Sequence, residues 1–420
     1  MNATWKTLRI GDLGRVVTGK TPSSERPEEF GDAYPFITPS DIDNMSKFAI
    51  PERFLSEAGA TTLRNALLPA NAVCVVCIGA TIGKVIMTDR PSLTNQQINS
   101  VIVDRSRFDP SYVYYLCKAI ADTFQMFAGG AATPIINKTV FSSIKVKVPD
   151  TATQQRVAAV LSSLDDLIAN NQRRIALLET MAEETYREWF VRMRFPGYAE
   201  INRQGLQPEG WTLQPIGELA ELVKRGISPA YDDQPAHKVI NQKCIRNGRL
   251  SIQESRNHST VTPDEKLIRY GDVLINSTGV GTLGRSAVFD LNQEGVTCDS
   301  HVTILRPKNE LVVGEFLAYS IQLMQSYFEA MASGSTGQAE LSRELISRTK
   351  LLVPTEGFLK AFAEMVRPIR RQRRTLLDQT EKLAQMRDQL LPRLISGKLR
   401  VDHLDIQYPP CMKAELAKAA

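Results

Sequence analysis

Two stretches of this 420-residue chain carry the glycine and cysteine spacings that usually signal chemistry. Gly79-Ala80-Thr81-Ile82-Gly83-Lys84 invites a phosphate-loop reading. That loop needs four residues between its glycines and Ser or Thr after the lysine. Here three residues intervene and Val85 follows, so nucleotide binding is not expected. What remains is a tight turn ending in a cation. A close approach permitted by glycine beside a basic tip suits a phosphate contact, and a plain hairpin turn accounts for it equally well. Cys74-Val75-Val76-Cys77 has the spacing of half a zinc site or of a redox pair. No second such pair exists, the chain has four His, and the segment is apolar, so two buried thiols in a strand are expected. There is no nucleophile elbow, no His-x-x-x-His and no glycine-rich cofactor fingerprint. Tyr408-Pro409-Pro410 lacks the acid or amide that an amino-methyltransferase motif places before its prolines. The chain therefore reads as a binder, with no catalytic, metal or cofactor residues of its own.

Polar loops are the remaining candidates. Gln and Asn can pair bidentately with adenine, and Arg and Lys with guanine. The first half offers Lys20, Thr21 and Ser23, then Thr38 and Ser40, then Asn95, Gln96 and Gln97. Asn137 and Lys138 follow, and Lys84 tips the glycine turn. The second half offers Lys224, Arg225 and Ser228, then Asn241, Gln242 and Lys243, with Arg246 and Arg249 beyond. Ser277, Thr278, Thr282 and Arg285 come next, and Gln338 and Arg343 complete the set. Each stretch alone reads as a solvated loop; their recurrence in both halves strengthens the set. If Lys20 and Arg225 neutralise phosphates, replacing either with Ala weakens DNA binding and lowers its salt slope.

Bulk charge neither demands nor excludes a nucleic-acid partner. The net charge is +5, from 51 Lys and Arg against 46 Asp and Glu. Residues 356–420 carry 13 basic and 8 acidic side chains, which is the whole excess. A DNA surface in the first 355 residues must come from local clustering. Six cysteines in this length do not suit a disulfide framework, so a reducing, cytoplasmic setting is expected. No apolar run spans a bilayer and the start shows no secretory signal.

The elements that must position these loops are written twice, at an offset near 205. Trp5-(x4)-Ile10-Gly11-Asp12-Leu13 returns as Trp211-(x4)-Ile216-Gly217-Glu218-Leu219. Thr81-Ile82-Gly83-Lys84 returns as Thr282-Leu283-Gly284-Arg285, and Leu93-Thr94-Asn95-Gln96-Gln97 more faintly as Val296-Thr297-Cys298-Asp299-Ser300. A long echo begins at Gly129 and Gly334, pairing Ile136-Asn137-Lys138 with Leu341-Ser342-Arg343 and Val148-Pro149 with Val353-Pro354.

Each copy opens with about 150 residues of short β-type runs and one helix, over 112–126 and 316–331. A long helix follows. Its stripe in copy one runs Val157, Val160, Leu161, Leu164, Leu167, Ile168, Ile175, Leu178, Met181, Trp189 and Phe190, with Thr153 as N-cap. In copy two it runs from Phe362 through Met365, Ile369, Leu376, Leu383 and Met386 to Ile395, with kinks or boundaries expected at Pro368 and Pro392. Gly197 and Gly397 fit as stops. A helix of about 40 residues is roughly 60 Å long, too long and too narrowly striped for one small domain. Antiparallel packing of the two helices along their seams follows from the connectivity. The fold class is α+β: two similar globular domains separated by two long antiparallel helices forming a coiled-coil spacer. A helix folding back on its own domain is the alternative.

The residues converge on one family. The chain resembles the specificity (S) subunit of type I restriction-modification enzymes. The resemblance is carried by Trp5 to Leu13, the Thr21-Pro22-Ser23 and Phe36-Ile37-Thr38-Pro39-Ser40-Asp41-Ile42 loops, and Leu93-Thr94-Asn95-Gln96-Gln97. It continues in the Gly129-(x6)-Ile136-Asn137 segment, the helix opening Thr153-Gln154-Gln155-Arg156-Val157 and the restart Pro208-Glu209-Gly210-Trp211. The close, Leu383-(x2)-Met386-Arg387-Asp388-Gln389-Leu390-Leu391-Pro392-Arg393-Leu394-Ile395-Ser396-Gly397, is the most specific part. The resemblance implies target recognition domains at 1–150 and 197–355 and spacer helices at 151–196 and 356–401; the Pro-rich, Lys/Ala end at 402–420 is expected to be a flexible tail. Each domain would read one half of a split, asymmetric site in double-stranded DNA, and the helices would fix the gap. The partners implied are two methyltransferase subunits, which hold S-adenosylmethionine and methylate adenine, and motor-nuclease subunits that use ATP and magnesium. No cofactor is implied on this chain. A two-headed protein–protein scaffold is the reading from another class, and an enzyme the third.

Overall fold

The computed structural model describes residues 5–43, 45–128, 134–197, 203–204, 207–232, 237–309, 313–332, 339–401 and 404–408. It divides into two compact units, residues 1–174 with 376–420, and residues 175–375. The division falls inside both long helices, so each unit owns one α+β part and a stretch of each helix.

In the first unit a four-stranded antiparallel sheet runs in the order Gly14–Thr18, Ile98–Val103, Val73–Val76, Val85–Met87. Val73–Val76 is central and buried on both faces, which explains its unbroken apolar run. A second sheet brings Leu93–Thr94 parallel to Tyr34–Ile37. The first sheet's two faces build two cores. One holds Val17, Phe36, Cys74, Ile86 and Ile98 against the second sheet. The other packs Val75, Tyr112, Tyr115 and Phe141 with the helices. The expected single helix over 112–126 is two, Pro110–Ala119 and Ala121–Phe127. The first is opened by the Asp109 side chain, which accepts from the Tyr112 N–H, with proline at the first helical position.

The second unit repeats this plan. Its sheet order is Ala220–Arg225, Val302–Pro307, Val273–Asn276, Ser286–Val288, again all antiparallel. Val296–Cys298 lies parallel to His237–Ile240 in the smaller sheet. The helix expected over 316–331 is likewise split, into Glu315–Leu323 and Gln325–Met331. The echoed Ile-Gly-acid-Leu turn has one cause in both copies. A Cβ on Gly11 would stand 3.2 Å from Cβ of Ser142, and one on Gly217 3.2 Å from Cβ of Ser347. The faintest echo is displaced by one residue. Asn95 N–H bonds Ile37 C=O as Asp299 N–H bonds Ile240 C=O, so Asn95 matches Asp299 and Gln97 matches His301.

The first long helix is Thr151–Tyr186 and continues into a π-helical turn, Arg187–Val191. Asp150, not Thr153, caps it: the Thr153 N–H donates to Asp150 Oδ1 at 2.9 Å. The second runs unbroken from Glu356 to Ile395 through both prolines. Buried Val366, Leu391 and Leu394 hold the helix around them, outweighing the roughly 3 kcal/mol a mid-helix proline costs. Gly397 closes it in the left-handed region at φ +73°.

The helices are antiparallel within each unit. In the first, Arg156 donates to Val401 C=O at 3.4 Å and Asp165 pairs with Arg387 at 2.9 Å. In the second, Glu179 pairs with Arg373 at 3.4 Å, and the Tyr186 and Phe362 ring centres are 6.0 Å apart. Four members of the expected seam, Leu167, Met181, Met365 and Met386, are instead exposed. Polar Asp165, Asn171, Thr380 and Arg387 are buried on the helices.

Candidate DNA interface

In the first unit the sheet delivers its polar residues to one end. The Gly14–Thr18 strand continues into Gly19 and Lys20, whose N–H groups bond Ile98 C=O and Thr94 C=O at 3.0 and 2.9 Å. A Cβ on Gly19 would stand 2.1 Å from Asn95 C=O, so only glycine lets these two loops touch. Thr21 donates to the Gln96 side chain. Asn95 Nδ2 donates to Gln97 Oε1 at 2.9 Å, and the Gln97 N–H donates to Asn95 Oδ1 at 3.1 Å, giving a preset amide pair. The Asn95 N–H bonds Ile37 C=O, which sets the Thr38–Ser40 turn alongside. Thr38 is buried and bonds Ser40 Oγ at 2.7 Å and Asp41 at 2.8 Å. Cys77 N–H bonds Gln97 C=O and Ile136 N–H bonds Cys77 C=O, which brings in Asn137. These residues form one cluster of loops.

Several candidates prove to hold structure. Lys84 Nζ donates to Ile42 C=O at 2.7 Å and stitches the glycine turn to the neighbouring loop. Asn137 Oδ1 caps the Lys138–Ser143 helix by accepting from the Val140 N–H. Ser23 Oγ accepts from the Glu25 N–H at 3.3 Å. Lys20, Gln96 and Lys138 are exposed.

The second unit forms the matching cluster from other side chains. Gly226 stands against the Cys298 and Asp299 carbonyls as Gly19 stands against those of Thr94 and Asn95. Arg225 stands at the place of Thr18 and donates to Leu341 C=O at 2.9 Å and to Glu340 at 2.8 Å. Gln242 donates to the Thr278 carbonyl and, at 2.6 Å, to its hydroxyl, and Thr278 Oγ1 lies 2.9 Å from His301 Nδ1. Thr282 Oγ1 closes the turn onto Thr278 C=O at 3.4 Å. Ser277 is fully buried against Thr303, at 2.6 Å. Asn241 Oδ1 accepts from the Lys243 N–H at 2.9 Å. Lys224 pairs with Glu265 at 2.6 Å, and Arg343 with its neighbour Glu344 at 2.8 Å. Ser228, Lys243 and Arg246 are exposed, and Arg285 is half-buried. Arg249 is bidentate to Glu179 of the first long helix, one bond at 2.7 Å, so its guanidinium serves the fold. Gln338, with the rest of 333–338, lies outside the described residues, as do Gly129, Gly334, Cys411 and most of the tail.

Sequence reasoning missed Asn99, Ile135, Asn276, Asp299, His301 and Glu340, all of which stand in these clusters. Asn276 and Asn99 lie inside strands, where only the sheet register shows which end they reach. The Cys74–Cys77 pair carries no redox or metal geometry. Burial pushes the thiols up, to about 12 for Cys74 and about 11 for Cys77, so neither is a thiolate near neutrality. No metal-binding group of His, Cys, Asp or Glu occurs among the described residues. Nor, among them, is any helix long and apolar enough to cross a membrane.

The family described as the type I restriction modification DNA specificity domain matches residues 2–180 and again 208–357, one match per copy of the repeat. The MjaIX type I restriction enzyme specificity subunit of Methanocaldococcus jannaschii is 24% identical over 411 residues, covering 95% of this chain and 94% of that one. The HindI specificity subunit of Haemophilus influenzae is 38% identical over 148 residues, 34% of this chain and 32% of its own. Among solved structures, the type I restriction-modification S subunit from M. genitalium superposes with a TM-score of 0.58 at 15% identity, covering 94% of this chain and 96% of that one, which is a likeness of fold. The protein–protein scaffold finds no support in any of these matches. A duplicated α+β unit, a repeated polar loop cluster and a family match falling once on each copy agree: the chain belongs to the type I restriction modification DNA specificity domain family.

Proposed function

We propose that this chain is the DNA-reading subunit of a type I restriction-modification complex. Each unit reads one half of a bipartite, asymmetric site, and partner subunits methylate adenine or cleave where both halves are engaged. The observation that supports this best is the pair of loop clusters. The same backbone, down to the Gly19 and Gly226 contacts, presents different polar groups in each copy, as two readers of different bases require. Neither cluster need bind tightly alone, because tethering makes the second engagement intramolecular. The long helices set the gap between half-sites. Leu167, Leu177, Met181, Met365 and Met386 stand exposed on them and suit docking by two methyltransferase subunits. S-adenosylmethionine belongs to those subunits, and ATP and magnesium to the motor-nuclease subunits. The chain itself contributes register and no catalytic group, and it works in the cytoplasm.

The test is a genome-wide adenine-methylation map of a host expressing this chain with a candidate methyltransferase partner, against a host lacking only this chain. A split motif that depends on the chain is the expected result. Its absence, with a soluble and competent partner, overturns the reading. Deleting matched whole turns from both helices should change the gap and leave both half-sites intact. An altered half-site would sink the spacer role.

A further inference from the structure

We propose that Ile135 and Glu340 are base-reading residues, one in each unit, and that they set different letters of the two half-sites. This rests on the DNA-reading function proposed above and goes further, to a single position of the repeat. The two residues are structurally equivalent. Ile135 forms a β-bridge with Ile78, and Glu340 forms the same bridge with Thr278. The next residue in each copy donates inward: Ile136 N–H to Cys77 C=O and Leu341 N–H to Ser277 C=O, both at 2.8 Å. The carbonyl of that same residue is gripped by the sheet, by Asn99 at 3.3 Å in the first unit and by Arg225 at 2.9 Å in the second. The backbone next to the position is therefore held from both sides, and the side chain at the position is left exposed.

That side chain is exposed in both units and differs in kind. Ile135 is 52% exposed, in a cluster otherwise built from polar side chains. Among the described residues Ile135 belongs to neither hydrophobic cluster of the first unit, and fully burying such a side chain is worth roughly 1.5–3 kcal/mol. An exposed apolar group on a segment that backbone bonds through Cys77 tie to the Asn95–Gln97 loop matches the C5-methyl of thymine, the apolar mark of the major groove. Glu340 is 56% exposed and pairs with Arg225 at 2.8 Å. A carboxylate held at this place accepts from the N4 amino group of cytosine. The carboxylate is the exposed half of this pair, while Arg225 is 25% exposed and also bonded to Leu341 C=O, so Glu340 can turn to a base with the guanidinium left in place. Thymine contact in one half-site and cytosine contact in the other follow from one position occupied by two chemistries.

The experiment uses the full chain with its methyltransferase partner and compares methylated motifs for wild type, Ile135→Ala and Glu340→Gln. Ile50→Ala, at an 81% exposed position not joined to the cluster by any bond described, is the control. Ile135→Ala should lower discrimination at one T·A pair of one half-site by roughly tenfold, with the other half-site and the gap unchanged. Glu340→Gln should do the same at one C·G pair of the other half-site. Each residue stands or falls on its own variant: an unchanged motif with unchanged discrimination at every position overturns its assignment. Should a variant lose all methylation and its unfolding midpoint drop, Ile135→Val and Glu340→Asp must shift the same single position, or the assignment falls. A wild-type chain yielding no motif with a competent partner overturns the DNA-reading function itself, and this assignment with it.

Discussion

Replacing Arg387 with alanine should destabilise the first unit by about 3–5 kcal/mol, the usual cost of breaking a buried ion pair from one side. Arg387 is 1% exposed, the largest fully buried side chain among the described residues. It donates to Asp165 Oδ1 and to Asp388 Oδ1, each at 2.9 Å, and to Met45 C=O at 3.4 Å. Asp165 is buried too, and its other oxygen accepts from Tyr115 Oη at 2.6 Å. Burial, reinforced by Asp165, holds the Tyr115 phenol well above its ordinary range, so it stays a donor. Removing the guanidinium leaves buried Asp165 with the Tyr115 hydroxyl as donor and the charge of Lys118 nearby, and the loss of its direct ion-pair partner is the main cost. The reasoning separates charge from volume. Arg387→Met keeps most of the volume and strands the same carboxylate, so it should cost nearly as much as Arg387→Ala. Adding Asp165→Asn to Arg387→Met removes the stranded charge and should recover at least about half of the loss. Denaturant unfolding of the full chain measures the energies. Hydrogen exchange in peptides covering 110–119 and 157–168 assigns them to the first unit. If Arg387→Ala costs less than about 1 kcal/mol, or if the double variant is no better than Arg387→Met, the buried-charge argument is wrong.

Lys20→Ala should lower the slope of log K against log salt by roughly 0.9, as one lost phosphate contact does, whereas Lys84→Ala should leave the slope alone and loosen the fold, because Lys84 is bonded to Ile42 C=O; the opposite pattern in binding titrations would reverse the two roles. Gly226→Ala places a Cβ about 2.0 Å from Cys298 C=O, so it should cost at least roughly 1–3 kcal/mol and abolish reading by the second unit alone, an outcome that a normal unfolding curve with both half-sites intact would refute. His258 is fully buried with neither ring nitrogen hydrogen-bonded, and burial with the neighbouring His237 holds its pKa below the usual imidazole value. Because the folded value is the lower one, this stabilisation is complete above about pH 6.5 and is lost as pH falls through the folded value. Denaturant unfolding of wild type and His258→Leu at several pH values between 5 and 8 should show a steeper acid-side loss in wild type, and equal slopes would exclude the histidine.

The periodic and repeated features of this chain were legible because they depend on local spacing. The stripe from Val157 to Ile175 needs one buried face, and Val73–Val76 needs two, and both patterns survive in the linear sequence. The prolines misled because local propensity ignores packing: Pro368 and Pro392 sit in a helix whose neighbours Val366, Leu391 and Leu394 are buried. Periodicity makes the seam too apolar for a related reason. It cannot reveal that Arg387 and Asp165 satisfy each other, so it places Met386 in the core and these two charges outside it.

The candidate site was legible only where it consisted of contiguous polar residues. Lys20, Asn95, Gln96 and Gln97 announce themselves as loops, whereas Asn99, Ile135 and Glu340 look like strand or filler until the register is known. The one-residue slip between Val296 and Thr297 comes from unequal segments after the glycine turn, between Lys84 and Asn95 in one copy and Arg285 and Asp299 in the other, and unequal segments recur elsewhere. The second copy's turn from Asn276 to Gly284 is one residue longer than that from Val76 to Gly83, although both close with the same hydrogen bond, at 2.8 and 3.0 Å. Insertions of this kind are tolerated because the sheet fixes the ends of each loop and leaves its length free. The same tolerance separates the two tasks of the molecule. Gly19 and Gly226, or the carbonyls of Ile136 and Leu341, answer to the sheet and are alike in the two copies. Gln97 and His301, and Ile135 and Glu340, stand at equivalent places and answer to nothing inside the fold that requires them to match. A repeat whose backbone contacts are held constant while these side chains differ is one in which the letters read can change without refolding the reader.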